Sequence, residues 1–420
     1  MKRVVITGLG TVNPIANTVP QFWEGLVAGR SGIRRVEQIA TDDLAVRIGG
    51  EVQNTPTERA EINDRVCTRR MDNASLFAVL AAREALEDAG LFEAGQAGTT
   101  LGERGAVVLG AGLAGLMTLQ QQTEKLLNEG PRRVSPLTIP LLMPNAAAAN
   151  ISLAFDLRGT SYTVSSACAS SGHAIIDAIR LIRDGEADVV VTGGTEASMT
   201  RLGFASFINM RAMSRGCEES PSGSIRPFDA RRDGLIMSEG AGVLVVESEE
   251  HARRRGRTPY AELLGFGMTS DAHHLTHPEP EARMAIRAIE MALERAELQP
   301  GDIASSLYVN AHGTGTKLND AMETRALHRA FGRSASRLQV SSSKSMTGHL
   351  IGASCGLEMI ACCLALRDGL LPPTINLEQP DPECDLDYIP KVARRSQVEY
   401  ALNNCFGFGG HNVSLLIRRW

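Results

Sequence analysis

The stretch VSSACASSGH, Val164 to His173, returns in altered form as VSSSKSMTGH, Val340 to His349. Val, Ser and Ser open both copies and Gly and His close them, so Cys168 falls opposite Lys344 and His173 opposite His349. Each copy follows a short apolar run, passes through small residues and enters an amphipathic segment. That segment ends in Arg-Asp-Gly both times, at Arg183 to Gly185 and at Arg367 to Gly369, where glycine suits a left-handed helix C-cap. A fainter echo links VITGLGTVNP, from Val5, with LLGFGMTSDA, from Leu263, two apolar runs broken by Gly-x-Gly. The repeat predicts two related halves, residues 1–260 and 261–420, whose equivalent strand-to-helix turns face each other across a pseudo-twofold.

The rest of the chain agrees with a large α/β protein. At 420 residues, 43% hydrophobic and 22% charged, it can bury an extensive core. Val-, Ile- and Leu-rich runs predict strands near Arg3–Thr7, Arg104–Leu109, Ala187–Thr192, Gly242–Glu247, Leu307–Asn310, Arg337–Ser341 and Asn412–Ile417. Apolar residues at three- and four-residue spacing predict helices near Ala74–Gly90, Gly172–Asp184, Pro280–Ala296, Asp320–Phe331 and Gly352–Arg367. No signal-peptide pattern opens the chain, no run of eighteen apolar residues occurs, and the eight cysteines form no CxxC pair. A soluble, cytoplasmic protein with reduced thiols is expected. The formal charge of −5 argues against nucleic acid and membrane as partners.

Cys168 draws attention by position. A thiol between a strand and a helix N-terminus meets unpaired backbone NH groups and the helix dipole, which favour the thiolate and suit a nucleophile. YVNAHGTGTKLND sets His312 at a strand end, with Gly313 and Gly315 turning the backbone before Asn319 or Asp320 caps a helix, and Lys344 and His349 surround a second such turn. A strand-end histidine serves a structural hydrogen bond as readily as catalysis. The Gly-x-Gly elements lack the helix and the distant acid of a dinucleotide site. Cys67, Cys362 and Cys363 lie on apolar faces and read as core thiols.

In order and spacing, SSACASS, NAHGTGT, KSMTGH and NNCFGFGGHN resemble the beta-ketoacyl-acyl carrier protein synthases of the elongating class, nearest in pattern to the type II group. The resemblance spans essentially the whole chain. It implies the thiolase fold, two homologous halves in a five-layered α-β-α-β-α arrangement, as a homodimer. It also implies a decarboxylative condensation in fatty acid synthesis that needs no metal and no cofactor. By motif, Cys168 would accept the acyl chain, His312 and His349 would assist loss of carbon dioxide from a malonyl thioester, and Lys344 would tune the local electrostatics. The backbone NH groups of Cys168 and Phe408 would form the oxyanion hole, and Phe408 would also be the gate. Thr314 and Thr316 would hold the pantetheine arm, Leu113 and Phe207 would line the acyl pocket, and Asp320 and Glu323 would lend support, Glu323 as the partner of Lys344.

The partner implied is an acyl carrier protein. It is acidic, so a local basic face is expected, with Arg65, Arg69 and Arg70 on one segment and Arg201 and Arg211 beside the pocket segment. Two positions depart from the family pattern: Lys317 stands where proline is common, and His411 where threonine is. His173, behind Cys168, is expected to make a structural hydrogen bond. Two other readings share these motifs, a stand-alone polyketide or aryl-polyene ketosynthase and a non-catalytic chain-length partner, though Cys168 speaks against the second. A degradative thiolase would need a catalytic cysteine in a C-terminal CxG turn, and the HGTGT and KSMTGH segments belong with decarboxylative enzymes instead.

Overall fold

In the computed structural model, which describes residues 2–420, ten strands form one sheet. They are β1 (Val4–Val12), β2 (Gly105–Gly110), β3 (Ser161–Val164), β4 (Val189–Glu196), β5 (Gly240–Ser248), β6 (Ala261–Ser270), β7 (Leu307–Asn310), β8 (Gln339–Ser341), β9 (Tyr400–Gly407) and β10 (His411–Arg419). Outward from β1 the order is β5, β4, β2, β3, and outward from β6 it is β10, β9, β7, β8. The pairing sense repeats as well: two antiparallel contacts, then two parallel ones, on each side. The two five-stranded halves join where β1 meets β6, antiparallel, through Val5 with Glu262 and Ile6 with Ala261.

Six helices position the site: α1 (Asn73–Ala89), α2 (Ser170–Asp184), α3 (Arg201–Asn209), α4 (Arg283–Arg295), α5 (Lys317–Phe331) and α6 (Ser354–Asp368). Helices α2 and α6 lie in the middle and touch each other and both half-sheets. The sequence of α6 explains why it can sit there, because every residue from Ser354 to Leu366 is buried and the helix has no polar face to show to water. Helix α1 covers the outside of the first half-sheet, and α4 with α5 covers the outside of the second. Three apolar clusters correspond to the central space and the two outer ones, which gives the order helix, sheet, helix, sheet, helix.

The Gly-x-Gly echo has a packing cause. A Cβ on Gly8 or Gly10 of β1 would lie 2.1 or 1.9 Å from the carbonyl oxygens of Ala85 or Ala81 on α1. On β6, a Cβ at Gly265 or Gly267 would lie 2.0 or 1.8 Å from those of Ala292 or Ala288 on α4. In both halves the outer helix therefore rests its alanine face directly on strand backbone. Both Arg-Asp-Gly endings are left-handed caps, with φ of 81° at Gly185 and 61° at Gly369. The strands β3, β6 and β9 are absent from the strand expectations: β3 is short, β6 is an apolar run interrupted by Gly265 and Gly267, and β9 carries Asn403 and Asn404 in its centre, which breaks the apolar pattern. No helix among the described residues is long and apolar enough to cross a membrane.

Since neither backbone can retreat without moving a whole helix, Gly10→Ala and Gly267→Ala should each remove about 3 kcal/mol of stability. Urea unfolding with unchanged slope should show it, and a loss below about 0.5 kcal/mol in both would contradict the packing argument.

Candidate active site

Cys168 sits in the turn between β3 and α2. Ala167 before it has φ of 50°, a left-handed conformation costing a non-glycine residue about 1–2 kcal/mol, and it turns the thiol toward the second half. The turn is tied by the Ser166 NH donating to Ser170 Oγ at 2.9 Å and by Ser170 Oγ donating to the Ala167 carbonyl at 2.6 Å. His173 Nδ1 is 2.7 Å from Ser166 Oγ, the structural hydrogen bond expected of it.

From the other half, His349 brings Nε2 to 3.0 Å from Cys168 Sγ. Its backbone is pinned to the first half, since its NH donates to Ile236 at 2.8 Å and its carbonyl accepts from Ser238 at 3.0 Å. The Ile351 NH donates to His349 Nδ1 at 3.0 Å, which in a neutral imidazole leaves the proton on Nε2, facing the sulfur. His312 completes the group with its ring 5.5 Å from that of His349 and nearly perpendicular to it. Glu323 of α5 fixes the His312 turn by accepting the NH groups of His312 at 2.9 Å and Gly313 at 2.8 Å.

Lys344 is buried, and its ammonium donates to Glu358 of α6. That corrects the expectation of Glu323 as its partner: Glu323 is spent on backbone NH groups and contributes only its charge from nearby. Glu358 was legible as the one acid in an otherwise uncharged run from Ser354 to Leu366, buried like its neighbours. Glu196, at the end of β4, is a second residue the sequence reading passed over. It accepts the NH groups of Gly112 at 2.9 Å, Leu113 at 3.1 Å and Gly352 at 3.1 Å, joining the Leu113 loop to the entry of α6. An acid closing an apolar strand was its signal.

The electrostatics differ from the sequence expectation at the thiol. Burial pushes Cys168 up to about 11, more than Lys344 and the backbone NH groups of Phe408 and of Cys168 itself pull it down. Helix-end stabilisation is present but loses to desolvation. Both histidines are held well below the usual imidazole range by burial, then by the charge of Lys344. They are neutral donors at pH 7. The nearest side-chain atoms of Cys168, His312 and His349 lie within 4.8 Å of one another, a reach that could embrace a metal ion. The tautomer of His349 opposes it, because a metal on Nε2 would require the proton on Nδ1, where the Ile351 NH already donates.

These groups open into a cavity of about 740 Å³, a size suited to a small-molecule tail. Leu113, Phe207, Phe408, Thr314 and Thr316 all line it. Phe408 stacks on Phe207 with centroids 6.5 Å apart, so the loop after β9 lies across the cavity beside the thiol. The hydroxyls of Thr314 and Thr316 are 2.9 Å apart. Thr316, rather than Asn319 or Asp320, caps α5 by accepting the Asn319 NH at 3.4 Å. Asp320 instead accepts the Phe228 NH at 2.9 Å and supports the loop from beneath. The expected basic face is partly spent: Arg65 pairs with Asp156 at 2.8 Å and Arg201 with Asp43 at 2.7 Å. Arg69, Arg70 and Arg211 are exposed and have no carboxylate within 4.0 Å among the described residues.

Comparison with known proteins agrees with this arrangement. Residues 1–252 match the beta-ketoacyl synthase N-terminal domain and residues 260–378 the corresponding C-terminal domain. A 3-oxoacyl-[acyl-carrier-protein] synthase 2 from Synechocystis is 44% identical, covering 100% of this chain and 98% of the relative. A beta-ketoacyl synthase structure from Burkholderia phymatum superimposes with a TM-score of 0.89 at 36% identity, covering 100% of both chains. A type II polyketide acyl-carrier protein in complex with its ketosynthase, bound to the hexaketide, gives 0.89 at 30% identity, again over 100% of both.

The raised thiol pKa has a direct readout. Iodoacetamide alkylation of Cys168, followed by peptide mass spectrometry, should keep accelerating from about pH 8 to pH 10. A rate that levelled off by about pH 7 would show that the thiolate is stabilised more than the site geometry allows.

Proposed function

Because the chain belongs to the beta-ketoacyl synthase family and condenses an acyl thioester with malonyl-acyl carrier protein, lengthening the chain by two carbons, we propose the following roles for its residues. Cys168 attacks the incoming acyl thioester and holds the acyl group while the first carrier leaves, which divides the condensation into two steps with ping-pong kinetics. A sulfur with a raised pKa must lose its proton to react, and the leaving carrier thiolate is the group that receives one. Malonyl thioester then enters, and carbon dioxide loss builds negative charge on the thioester oxygen. His312 and His349 meet that charge as neutral NH donors in a dry site. The enolate carbon attacks the acyl-Cys168 carbonyl, whose oxyanion is received by the backbone NH groups of Cys168 and Phe408, and collapse of that adduct breaks the carbon–sulfur bond and frees the Cys168 thiolate. Lys344, held by Glu358, supplies a fixed positive potential. The observation that carries this reading is His349, with Nδ1 committed as an acceptor and Nε2 set 3.0 Å from the thiol.

Several finer assignments belong to the same proposal. Leu113 and Phe207 bound the acyl chain, Phe408 gates it, Thr314 and Thr316 bind the pantetheine arm, and Asp320 and Glu323 hold the loops. Residues 1–260 and 261–420 are the two duplicated halves, supported by their identical strand order. The protein works in the cytoplasm with its cysteines free, drawing its acyl and malonyl groups from acyl carrier protein. It acts as a homodimer. Support for that lies in β3, which ends the sheet with an open edge, and in exposed apolar residues of the adjoining segments, among them Leu126, Leu127, Ile139 and Leu153. A second copy would cover both features, and sedimentation should report twice the chain mass of 45.0 kDa.

Mass spectrometry of products from octanoyl- and malonyl-acyl carrier protein should show the two-carbon extension, with acyl mass on the Cys168 peptide. Cys168→Ala should abolish both. Cys168→Gln should go on releasing carbon dioxide from malonyl-acyl carrier protein, and His312→Ala or His349→Ala in that background should slow release about 100-fold or more. With both imidazoles already neutral, the release rate of Cys168→Gln should stay level between about pH 8 and pH 6; a fall centred near 6.5 would mean that a histidine titrates as an ordinary one.

A further inference from the structure

We propose that Lys317 and Arg211 bind the phosphate that links the pantetheine arm to its carrier, and so determine how well an arm is seated before its thioester reaches Cys168. The inference rests on the ketosynthase reading and names a ligand contact within it. The cavity has an inner end, at Cys168, His312 and His349, and a mouth at which Lys317 and Arg211 are both exposed lining residues. Between the two ends the chain itself supplies a gradient: Thr314 is buried, Thr316 half-buried and Lys317 exposed, all lining the same cavity. An arm whose amides meet the threonines and whose thioester lies at Cys168 carries its only charge, the phosphodiester, at the other end.

The cations around this mouth fall into two groups. Arg201, Arg226, Arg231 and Arg232 are each within 4.0 Å of a carboxylate, on Asp43, Glu378, Glu378 and Asp381. Lys317 and Arg211 have no such partner among the described residues, and the two acids that line the cavity are engaged elsewhere, Asp233 accepting the Arg215 NH at 3.1 Å and Asp271 the Asn412 side-chain NH at 2.6 Å. Lys317 is also poorly placed for the helix it begins. It is the first residue of α5, where the helix dipole disfavours a cation; Asp381 feels its charge, but that carboxylate is already paired with Arg232 at 2.5 Å. Its backbone is nevertheless fixed, because its carbonyl accepts from Arg232 at 3.1 Å and Arg232 is buried. Arg211 stands at φ of 58°, outside the helix α3 that precedes it. Two unpaired cations on a rigid rim, with a neutral polar passage leading inward, are complementary to an anion at the outer end of a neutral arm.

The test compares octanoyl-phosphopantetheine with octanoyl-pantetheine as acyl donors to the full chain, following acyl-Cys168 by intact mass. In the wild type the phosphate should raise kcat/KM about tenfold, through KM, and the advantage should shrink several-fold in about 0.5 M salt. Lys317→Ala should reduce the advantage below about threefold, Arg211→Ala should act in the same direction, and Lys317→Arg should preserve it. Equal rates for the two donors in the wild type, or an advantage untouched by Lys317→Ala, would overturn the proposal while leaving the ketosynthase reading intact. So would a defect of Lys317→Ala seen only with carrier-borne octanoyl groups, which would assign the lysine to the acidic surface of the carrier. Failure of the wild type to take an acyl group from any donor, octanoyl-acyl carrier protein included, would overturn the ketosynthase reading itself.

Discussion

An ammonium sealed from water has to be given a counter-charge, and the centre of this molecule is arranged around the one given to Lys344. Glu358 can meet it only because α6 is buried on every side and carries that single acid into the space between the half-sheets. Leaving either partner alone there would cost about 3–5 kcal/mol, so the pair fixes the lysine-bearing turn against the central helix. The positive potential that results reaches His312, His349 and Cys168 together. It favours neutral imidazoles and a more acidic thiol, the protonation states that the proposed residue roles call for. Burial amplifies the first effect and opposes the second.

The two halves contribute unlike groups to this centre. The first supplies the thiol on a strained turn, and the second supplies the charge, both imidazoles and the Phe408 NH. The repeated architecture matches the division: equivalent corners, each a small-residue turn between a strand and a central helix, carry Cys168 in one case and Lys344 in the other. What joins them is modest in sheet terms, two residue pairs between β1 and β6, and extensive in helix terms, since α2 and α6 pack on each other and on both half-sheets.

Much of this was legible in the sequence because packing writes regular patterns. Gly-x-Gly in β1 and β6 records helix backbone lying on strand backbone, and the Arg-Asp-Gly endings record left-handed caps. The motifs around Cys168, His312 and His349 mark turns whose residue types are dictated locally. What escaped the sequence was partnership at a distance. Nothing near Lys344 says that its counter-ion lies fourteen residues on, across a buried helix, rather than on α5. The thiol pKa escaped for a related reason: a helix end can be read locally, whereas desolvation is a property of everything packed around it. Thr316 as the cap of α5 was missed because Asn319 and Asp320 are equally good capping types, and only the backbone path decides among them.

The order of the chain has a consequence for its synthesis. Cys168 leaves the ribosome well before the groups that act on its sulfur, since Lys344, His349 and Phe408 all follow residue 340. A nascent chain that has folded only its first five strands therefore displays a thiol in its turn with neither the lysine charge nor the imidazole donor beside it. The Phe408 NH, which also acts on the sulfur, arrives later still, with the loop after β9.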